Sequence, residues 1–183
     1  MGSPTEMLEA EHKVIALIVS TAPLLAEKLE DGSWFDKTII TDIVEFMRRY
    51  ADQCHHGKEE ELLFPALAEK GVPMQGCPIG GLINEHARGR VLVKGLEESA
   101  DALQKNRDDV SARTRLVSNL RGIAELYPGH IWREDYLLFP MTCKILSGEE
   151  QDKLYAAFEK VDDRIGKQEL DRLVRFAESL SSM

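Results

Sequence analysis

Residues 55–65 read His-His-Gly-Lys-Glu-Glu-Glu-Leu-Leu-Phe-Pro, and residues 130–140 read His-Ile-Trp-Arg-Glu-Asp-Tyr-Leu-Leu-Phe-Pro. Aligned at their ends, both stretches spell His-x-x-x-Glu-x-x-x-Leu-Phe-Pro. Residues four apart lie on one face of a helix, with Cβ atoms about 5–6 Å apart. Each copy therefore places an imidazole beside a carboxylate. Two such pairs, brought together by folding, would make a site for two metal ions.

Length and composition indicate one soluble folding unit. The chain has 183 residues, of which 43% are hydrophobic and 30% charged, as in ordinary globular proteins. Its net charge of -9 argues against binding to nucleic acid or to an anionic membrane. No apolar run approaches the roughly 18 residues of a membrane helix, and no signal peptide is evident. We expect a cytoplasmic protein, and the sequence does not identify a protein partner.

The three cysteines fit neither a zinc motif nor a disulfide framework. They are Cys54, Cys77 and Cys143. An odd count at these spacings predicts free thiols in a reducing compartment.

Hydrophobic periodicity predicts an all-α fold. A first helix opens with a capping box of Ser3 and Glu6 and is expected to end or kink at Pro23. A second helix begins at Ser33 or Asp36 and runs towards Lys70, followed by a loop. A third begins near residue 78, and a fourth runs from about residue 110 through the second Leu-Phe-Pro. We also expect Pro65 and Pro140 to kink or end their helices.

These helices favour an antiparallel, up-down-up-down four-helix bundle, because the connections between them are short. The bundle is assigned to residues 1–146. A second capping box, Ser147 with Glu150, opens a helical extension at residues 147–183, which Gly166 interrupts. We expect this extension to pack on the same domain.

Helical neighbours predict which of the five histidines face the core. His12, His86 and His130 lie on apolar stripes. His55 shares its helix face with apolar residues such as Met47 and Ala51 and is expected to face the core. His56 shares its face with polar and charged residues such as Asp52 and Glu60 and is expected to face solvent.

Four inward histidines and two inward glutamates predict a metal centre. A single histidine on an apolar face is usually satisfied by hydrogen bonds, but an unpaired ionised carboxylate in a core costs on the order of several kcal/mol, and a cation removes that cost. The predicted ligands are His12, His55, Glu59, His86, His130 and Glu134.

Imidazoles and carboxylates without thiolates suit iron, manganese or zinc. Six side chains are too many for one tetrahedral zinc and suit two ions bridged by Glu59 and Glu134. The two carboxylates would offset half the charge of two divalent ions, and a bridging hydroxide or oxide would offset more. Such a set leaves open positions, where a small molecule can bind.

The sequence resembles the hemerythrin-like, His-His-Glu cation-binding domains over about residues 5–145. The matching positions are His12; Cys54-His55-His56-x-Lys58-Glu59-Glu60 with Leu63-Phe64-Pro65; Pro78-Ile79; Glu85-His86 with Gly89-Arg90; and His130-x-x-x-Glu134-x-x-x-Leu138-Phe139-Pro140. The resemblance implies a four-helix bundle around a non-heme di-iron site, with the six predicted ligands in their roles and Glu59 and Glu134 bridging.

Two positions differ from the oxygen-carrying hemerythrins. Arg90 stands where those proteins have a second histidine on the third helix. They also have an aspartate five residues after the last histidine, where this chain has Asp135, although repeat symmetry favours Glu134. The pattern is more similar to di-iron proteins linked to nitric oxide, iron–sulfur repair and iron or oxygen sensing.

Three functions stay open at this point, and catalysis is not decided. The first is a di-iron protein that binds or reacts with oxygen, nitric oxide or peroxide. The second is a non-catalytic sensor in which metal state alters a partner contact of the C-terminal helices. The third is a ferritin-like iron oxidase, which expects two Glu-x-x-His pairs, whereas only Glu9 and His12 form one.

Three neighbours of the ligands have alternative roles. Glu85 is either a charge at the mouth of the site or an ordinary surface acid. Arg90 pairs with a bridging glutamate, a bound anion or a surface acid such as Glu97. Tyr127 either hydrogen-bonds a bridging carboxylate or packs in the core.

Overall fold

The computed structural model describes residues 2–32 and 36–182, which are helical without any strand. The all-α prediction is therefore confirmed for this part of the chain. The helices are α1 (Pro4–Glu30), α2 (Lys37–Phe46), π1 (Met47–His56), π2 (Glu59–Leu63), α3 (Phe64–Glu69), α4 (Ile79–Lys105), α5 (Val110–Arg133), π3 (Glu134–Leu138), α6 (Phe139–Ile145), α7 (Gly148–Ile165) and α8 (Lys167–Ser181).

Several helix boundaries lie where the sequence predicts them. The capping boxes at Ser3 and Ser147 are both formed. Asp36 caps α2 by accepting a hydrogen bond from the backbone N–H of Thr38, while Ser33 lies outside the described residues. Gly166 separates α7 from α8 with φ at +98°, a conformation that glycine adopts without a steric penalty.

The prolines do not end their helices, so the prediction that they kink or end them is wrong about the ending. Helix α1 continues through Pro23 to Glu30. Pro65 and Pro140 each follow a π-helical segment, in the first turn of the next α-helical one. In a π-helix the hydrogen bond spans one residue more than in an α-helix, as from the Phe64 N–H to the Glu59 carbonyl. This wider turn accommodates the proline ring, so the helix runs on.

The helices enclose two apolar clusters. In the larger cluster α5 packs against α1 and α4, and α8 packs against α1. The smaller cluster contains Phe64, Phe139 and Phe158. The histidines contact both clusters, since His86 stacks on Phe64 and His130 lies edge-on to Tyr127 of the larger cluster. The candidate site therefore lies inside the bundle, between two layers of apolar side chains.

None of the helices in the described ranges combines the length and the apolar character needed to cross a membrane.

Candidate metal centre

The fold brings all six predicted ligands into one buried cluster. They come from six segments of helix: His12 from α1, His55 from π1, Glu59 from π2, His86 from α4, His130 from α5 and Glu134 from π3. Each is 3% exposed or less. The ligand atoms of His12, His55, Glu59 and Glu134 all lie within 4.8 Å of one another.

Each glutamate lies between histidines from different parts of the chain. A carboxylate oxygen of Glu59 is 3.7 Å from Nε2 of His55 and 3.5 Å from Nε2 of His86. An oxygen of Glu134 is 3.1 Å from Nε2 of His12 and 3.2 Å from Nε2 of His130. Both carboxylates are thus in a position to be shared between two ions.

The inward atoms are buried without hydrogen-bond partners among the described residues. They are Nε2 of His12, His55, His86 and His130, and both carboxylate oxygens of Glu59 and Glu134. Buried polar groups almost always have partners, and an unpartnered buried carboxylate is costly. Imidazole nitrogen and carboxylate oxygen are the donors that divalent iron, manganese and zinc accept. The donor set therefore fits a pair of such ions.

An outer carboxylate contacts Nδ1 of each of the four predicted histidine ligands. The four pairs are His12 Nδ1 with Asp135 at 2.6 Å, His55 Nδ1 with Glu11 at 2.9 Å, His86 Nδ1 with Glu60 at 2.7 Å and His130 Nδ1 with Glu85 at 3.0 Å. Such contacts fix the ring orientation, leave Nε2 for a metal and increase the basicity of the ligand.

The sequence-based prediction does not pair these outer acids with their histidines, although a repeated dipeptide points to two of the four. Glu11-His12 and Glu85-His86 are the same dipeptide, and in each case the glutamate serves the histidine of the following His-x-x-x-Glu motif. Glu85 is therefore the hydrogen-bond partner of His130, and it also pairs with Arg133.

The prediction that His56 faces solvent is wrong. His56 is 2% exposed, its ring stacks on His86 with centroids 3.8 Å apart, and its Nδ1 lies 3.2 Å from Asp52. The prediction assumed α-helical geometry, but both histidines belong to π1. A π-helix has more residues per turn, so consecutive side chains diverge less, and His55 and His56 both face the interior.

The remaining neighbours also have definite partners. Arg90 binds Asp52 and Glu60, whereas Glu97 pairs with Arg48. The acid after Glu134, Asp135, contacts Nδ1 of His12 rather than the centre of the cluster.

Tyr127 is buried and packs closely on α4, where its hydroxyl lies 2.8 Å from the position that a Cβ on Gly89 would take. This contact favours a packing role and explains the glycine, since any side chain at residue 89 would displace the ring.

The two central carboxylates have pKa values shifted in opposite directions. Burial raises the pKa of Glu59 well above the usual range, and the neighbouring Glu134 adds to this shift. Burial acts against the charge of Glu134 too, but His130 and His12 lower its pKa well below the usual range. A bound cation would favour the charged form of both carboxylates.

A buried ammonium lies behind His55. Lys58 is fully buried; it binds Glu11 and lies 2.6 Å from Asp162 of α7. The thiol of Cys54 donates to Asp162 at 3.1 Å. Burial raises the pKa of Glu11 to about 7 even though Lys58 opposes the shift. Glu11, Cys54 and Asp162 are grouped as metal ligands can be, but the Lys58 ammonium already supplies their cation.

Comparisons with known proteins agree with this geometry. Residues 3–142 match the family described as Hemerythrin HHE cation binding domain. Relatives include uncharacterised proteins of Mycobacterium tuberculosis and Mycobacterium bovis, each 24% identical over 159 residues, or 87% of this chain and 61% of the relative. The chain thus spans about three fifths of the length of these relatives. No solved protein structure matches it.

Proposed function

The chain belongs to the hemerythrin family of HHE cation-binding domains, and we propose that it holds two iron ions that bind or react with a small ligand such as oxygen, nitric oxide or hydrogen peroxide. One observation carries this proposal: four imidazole nitrogens and four carboxylate oxygens are buried at one centre without hydrogen-bond partners among the described residues. Metal binding follows from the family, and the identity of the ion and of the ligand is our inference.

We assign the ligands by their contacts. His12 and His55 would hold one ion and His86 and His130 the other, and Glu59 and Glu134 would be shared between them, since each carboxylate lies between histidines of both groups. Zinc or manganese would fit the same donors. Bound iron would supply the redox chemistry, whereas the protein orients the donors and buries them away from water.

The domain organisation belongs to the same proposal. Residues 1–146 form the metal-binding bundle, with its four main helices running up, down, up and down. Residues 147–183 are an extension packed on that domain, supported by Leu173, Ala177 and Leu180, which lie in the larger apolar cluster.

Metal content and an optical titration test the function. Protein reconstituted with iron without air should contain about two irons per chain, as di-iron carboxylate bundles do, and its near-ultraviolet absorption should change when oxygen, nitric oxide or peroxide is added. One iron or none, with no dependence on Glu59 or Glu134, would exclude the di-iron proposal. Two irons per chain with an absorption spectrum that none of the three ligands changes would exclude binding of, or reaction with, these ligands.

A sensor function is the second candidate, and a specific contact favours it. Asp162 of α7 binds Lys58, Lys58 binds Glu11, and Glu11 binds His55. The C-terminal helices are therefore linked to a proposed ligand through three contacts. In a sensor, hydrogen exchange in α7 and α8 should differ between iron-loaded and iron-free protein. An Asp162→Asn variant should lose the difference, while the neighbouring exposed Asp163→Asn should keep it.

The ferritin-like alternative has no such support. Among the described residues, Glu9, which would complete the Glu-x-x-His motif, is not grouped with His12 as a candidate metal ligand.

A further inference from the structure

His56 shares one contact with the four proposed histidine ligands, a carboxylate at its Nδ1. Its Nδ1 lies 3.2 Å from a carboxylate oxygen of Asp52, just as the other four rings each have Nδ1 on an acid. Such a contact leaves Nε2 as the nitrogen available for a metal. All five histidines of the chain are thus buried, and each has an acid at its Nδ1.

The position of His56 places it on one side of the centre. Its ligand nitrogen and those of His86 and His130 lie within 4.8 Å of one another. The ring stacks on His86 and meets His130 edge-on, with centroids 5.9 Å apart. His12 and His55 belong to the other group, together with Glu59 and Glu134.

Arg90 holds the acids behind two of these rings at once. Its Nε donates to Asp52 at 2.8 Å, and its NH2 group donates to Glu60 at 2.8 Å. Asp52 binds His56, and Glu60 binds His86. Arg90 of α4 therefore fixes both the acid that binds His56 and the acid that binds His86.

We infer that His56 is a third imidazole ligand of the ion held by His86 and His130. This inference rests on the proposed two-ion function. The complete donor set is then five histidines and two carboxylates, with three histidines on one ion and two on the other. The two ions consequently differ in donor number, so the position with fewer protein ligands is the one with more room for a small molecule.

Packing is the competing explanation, because a ring stacked on His86 would fill space whether or not it binds a metal. A cavity of about 120 Å³ also lies beside His56, lined by Asp52, Arg90 and Tyr127 among others. The test must therefore distinguish metal binding by the ring nitrogen from packing of the ring. The cavity makes this possible, because added imidazole can enter the space left when the His56 side chain is removed.

Cobalt(II) titration of the full chain is the experiment, with visible absorption reporting the coordination of each ion and equilibrium dialysis reporting its affinity. His56→Phe keeps a stacked ring and removes the nitrogen. In this variant we expect the ion held by His12 and His55 to bind as in wild type. The ion held by His86 and His130 should bind more than about 100-fold more weakly, a larger loss than the roughly 10–100-fold that follows from removing an outer hydrogen-bond partner. The absorption bands of this second ion should shift. In His56→Gly, added imidazole should restore both affinity and spectrum.

Controls separate the possible failures. Ile131 aligns with His56 in the other copy of the repeat, so Ile131→Phe should leave both affinities unchanged, whereas His86→Phe should weaken the same ion as His56→Phe. Wild-type affinities and spectra in His56→Phe, or in His56→Gly without imidazole, would overturn the inference and leave His56 as a packing residue. Fewer than two ions in the wild type would instead refute the proposed function. Circular dichroism of each metal-free variant establishes folding, and His56→Gly decides the question where the Phe variant does not fold.

Discussion

The two copies of the repeat, residues 55–65 and 130–140, share a local structure but have different surroundings. In both, the glutamate begins a π-helical segment and the proline lies in the following α-helical turn. In both, a cation three residues after the histidine binds the acid behind it: Lys58 binds Glu11, and Arg133 binds Glu85.

The copies also exchange contacts with the opposite half of the chain. Glu60, after the first inner glutamate, holds His86, and Asp135, after the second, holds His12. Each half thus orients one histidine of its own and one of the other. This exchange couples the two halves, so a change in one copy is expected to affect ligands from both.

Burial is where the copies differ. The side chain of Lys58 is fully buried and also binds Asp162, whereas that of Arg133 is 42% exposed. His56 fills the interior in the first copy, and Ile131 stands at that position in the second. The first copy is therefore more deeply integrated with its surroundings, which include the C-terminal helices.

Both copies of the repeat place a glutamate between histidines of both groups, and replacing either glutamate should have the largest effect on metal content and thermal stability. Glu59→Gln and Glu134→Gln should each lose both ions, because each carboxylate lies between histidines of both groups. Ligand binding contributes about 4 kcal/mol per ion at a thousandfold excess over Kd, and each kcal/mol is worth about 2–4 °C at this size. The melting temperature of metal-loaded protein should then fall by about 15–30 °C in both variants. Loss of only one ion would contradict bridging.

The two cations test the difference in burial. Lys58→Met leaves Glu11 without its buried partner and should cost about 3–5 kcal/mol in the free energy of unfolding. Arg133→Met removes a half-exposed pair and should cost about 0–1 kcal/mol. Urea unfolding of metal-loaded protein measures both. Equal losses would show that the copies are not distinguished by burial.

The exchanged acids test the coupling between the halves. Glu60→Gln and Asp135→Asn keep an oxygen acceptor but remove the charge behind His86 and His12. Each should weaken one ion by about 10–100-fold, the usual cost of losing an outer partner. Equilibrium dialysis should show the ion at His86 affected by the first variant and the ion at His12 by the second. An effect of both variants on the same ion would refute the exchange.

The residues two positions after each motif histidine should give the smallest effects. Gly57 has helical dihedral angles, and a Cβ there would only touch the Asp52 carbonyl at 3.8 Å, so Gly57→Ala should stabilise the protein by about 0.5–1 kcal/mol. Trp132 is 53% exposed, and Trp132→Ala should change stability by about 0.5 kcal/mol or less. Thermal melting checks both. A destabilised, metal-poor Gly57→Ala would mean that the junction between π1 and π2 needs glycine.

The sequence by itself determined the helical class, most helix boundaries and the six inward residues. Hydrophobic spacing depends only on helix periodicity, and caps such as Ser3 and Ser147 depend on local hydrogen bonds. The repeat was informative for the same reason: His55 with Glu59, and His130 with Glu134, are four residues apart, and this spacing keeps both members of a pair on one face in every helical form observed here.

Only the tertiary structure decided how those residues are supported. The outer acids reach their histidines across the bundle, from Glu11 to His55 and from Glu60 to His86, and helical periodicity says nothing about contacts between helices. The sequence predicts an exposed His56 because an α-helix separates neighbouring side chains by about 100°, while the π-helical turn narrows that angle. Where a helix changes its hydrogen-bond spacing is set by packing around the site, so the face of His56 followed from the fold.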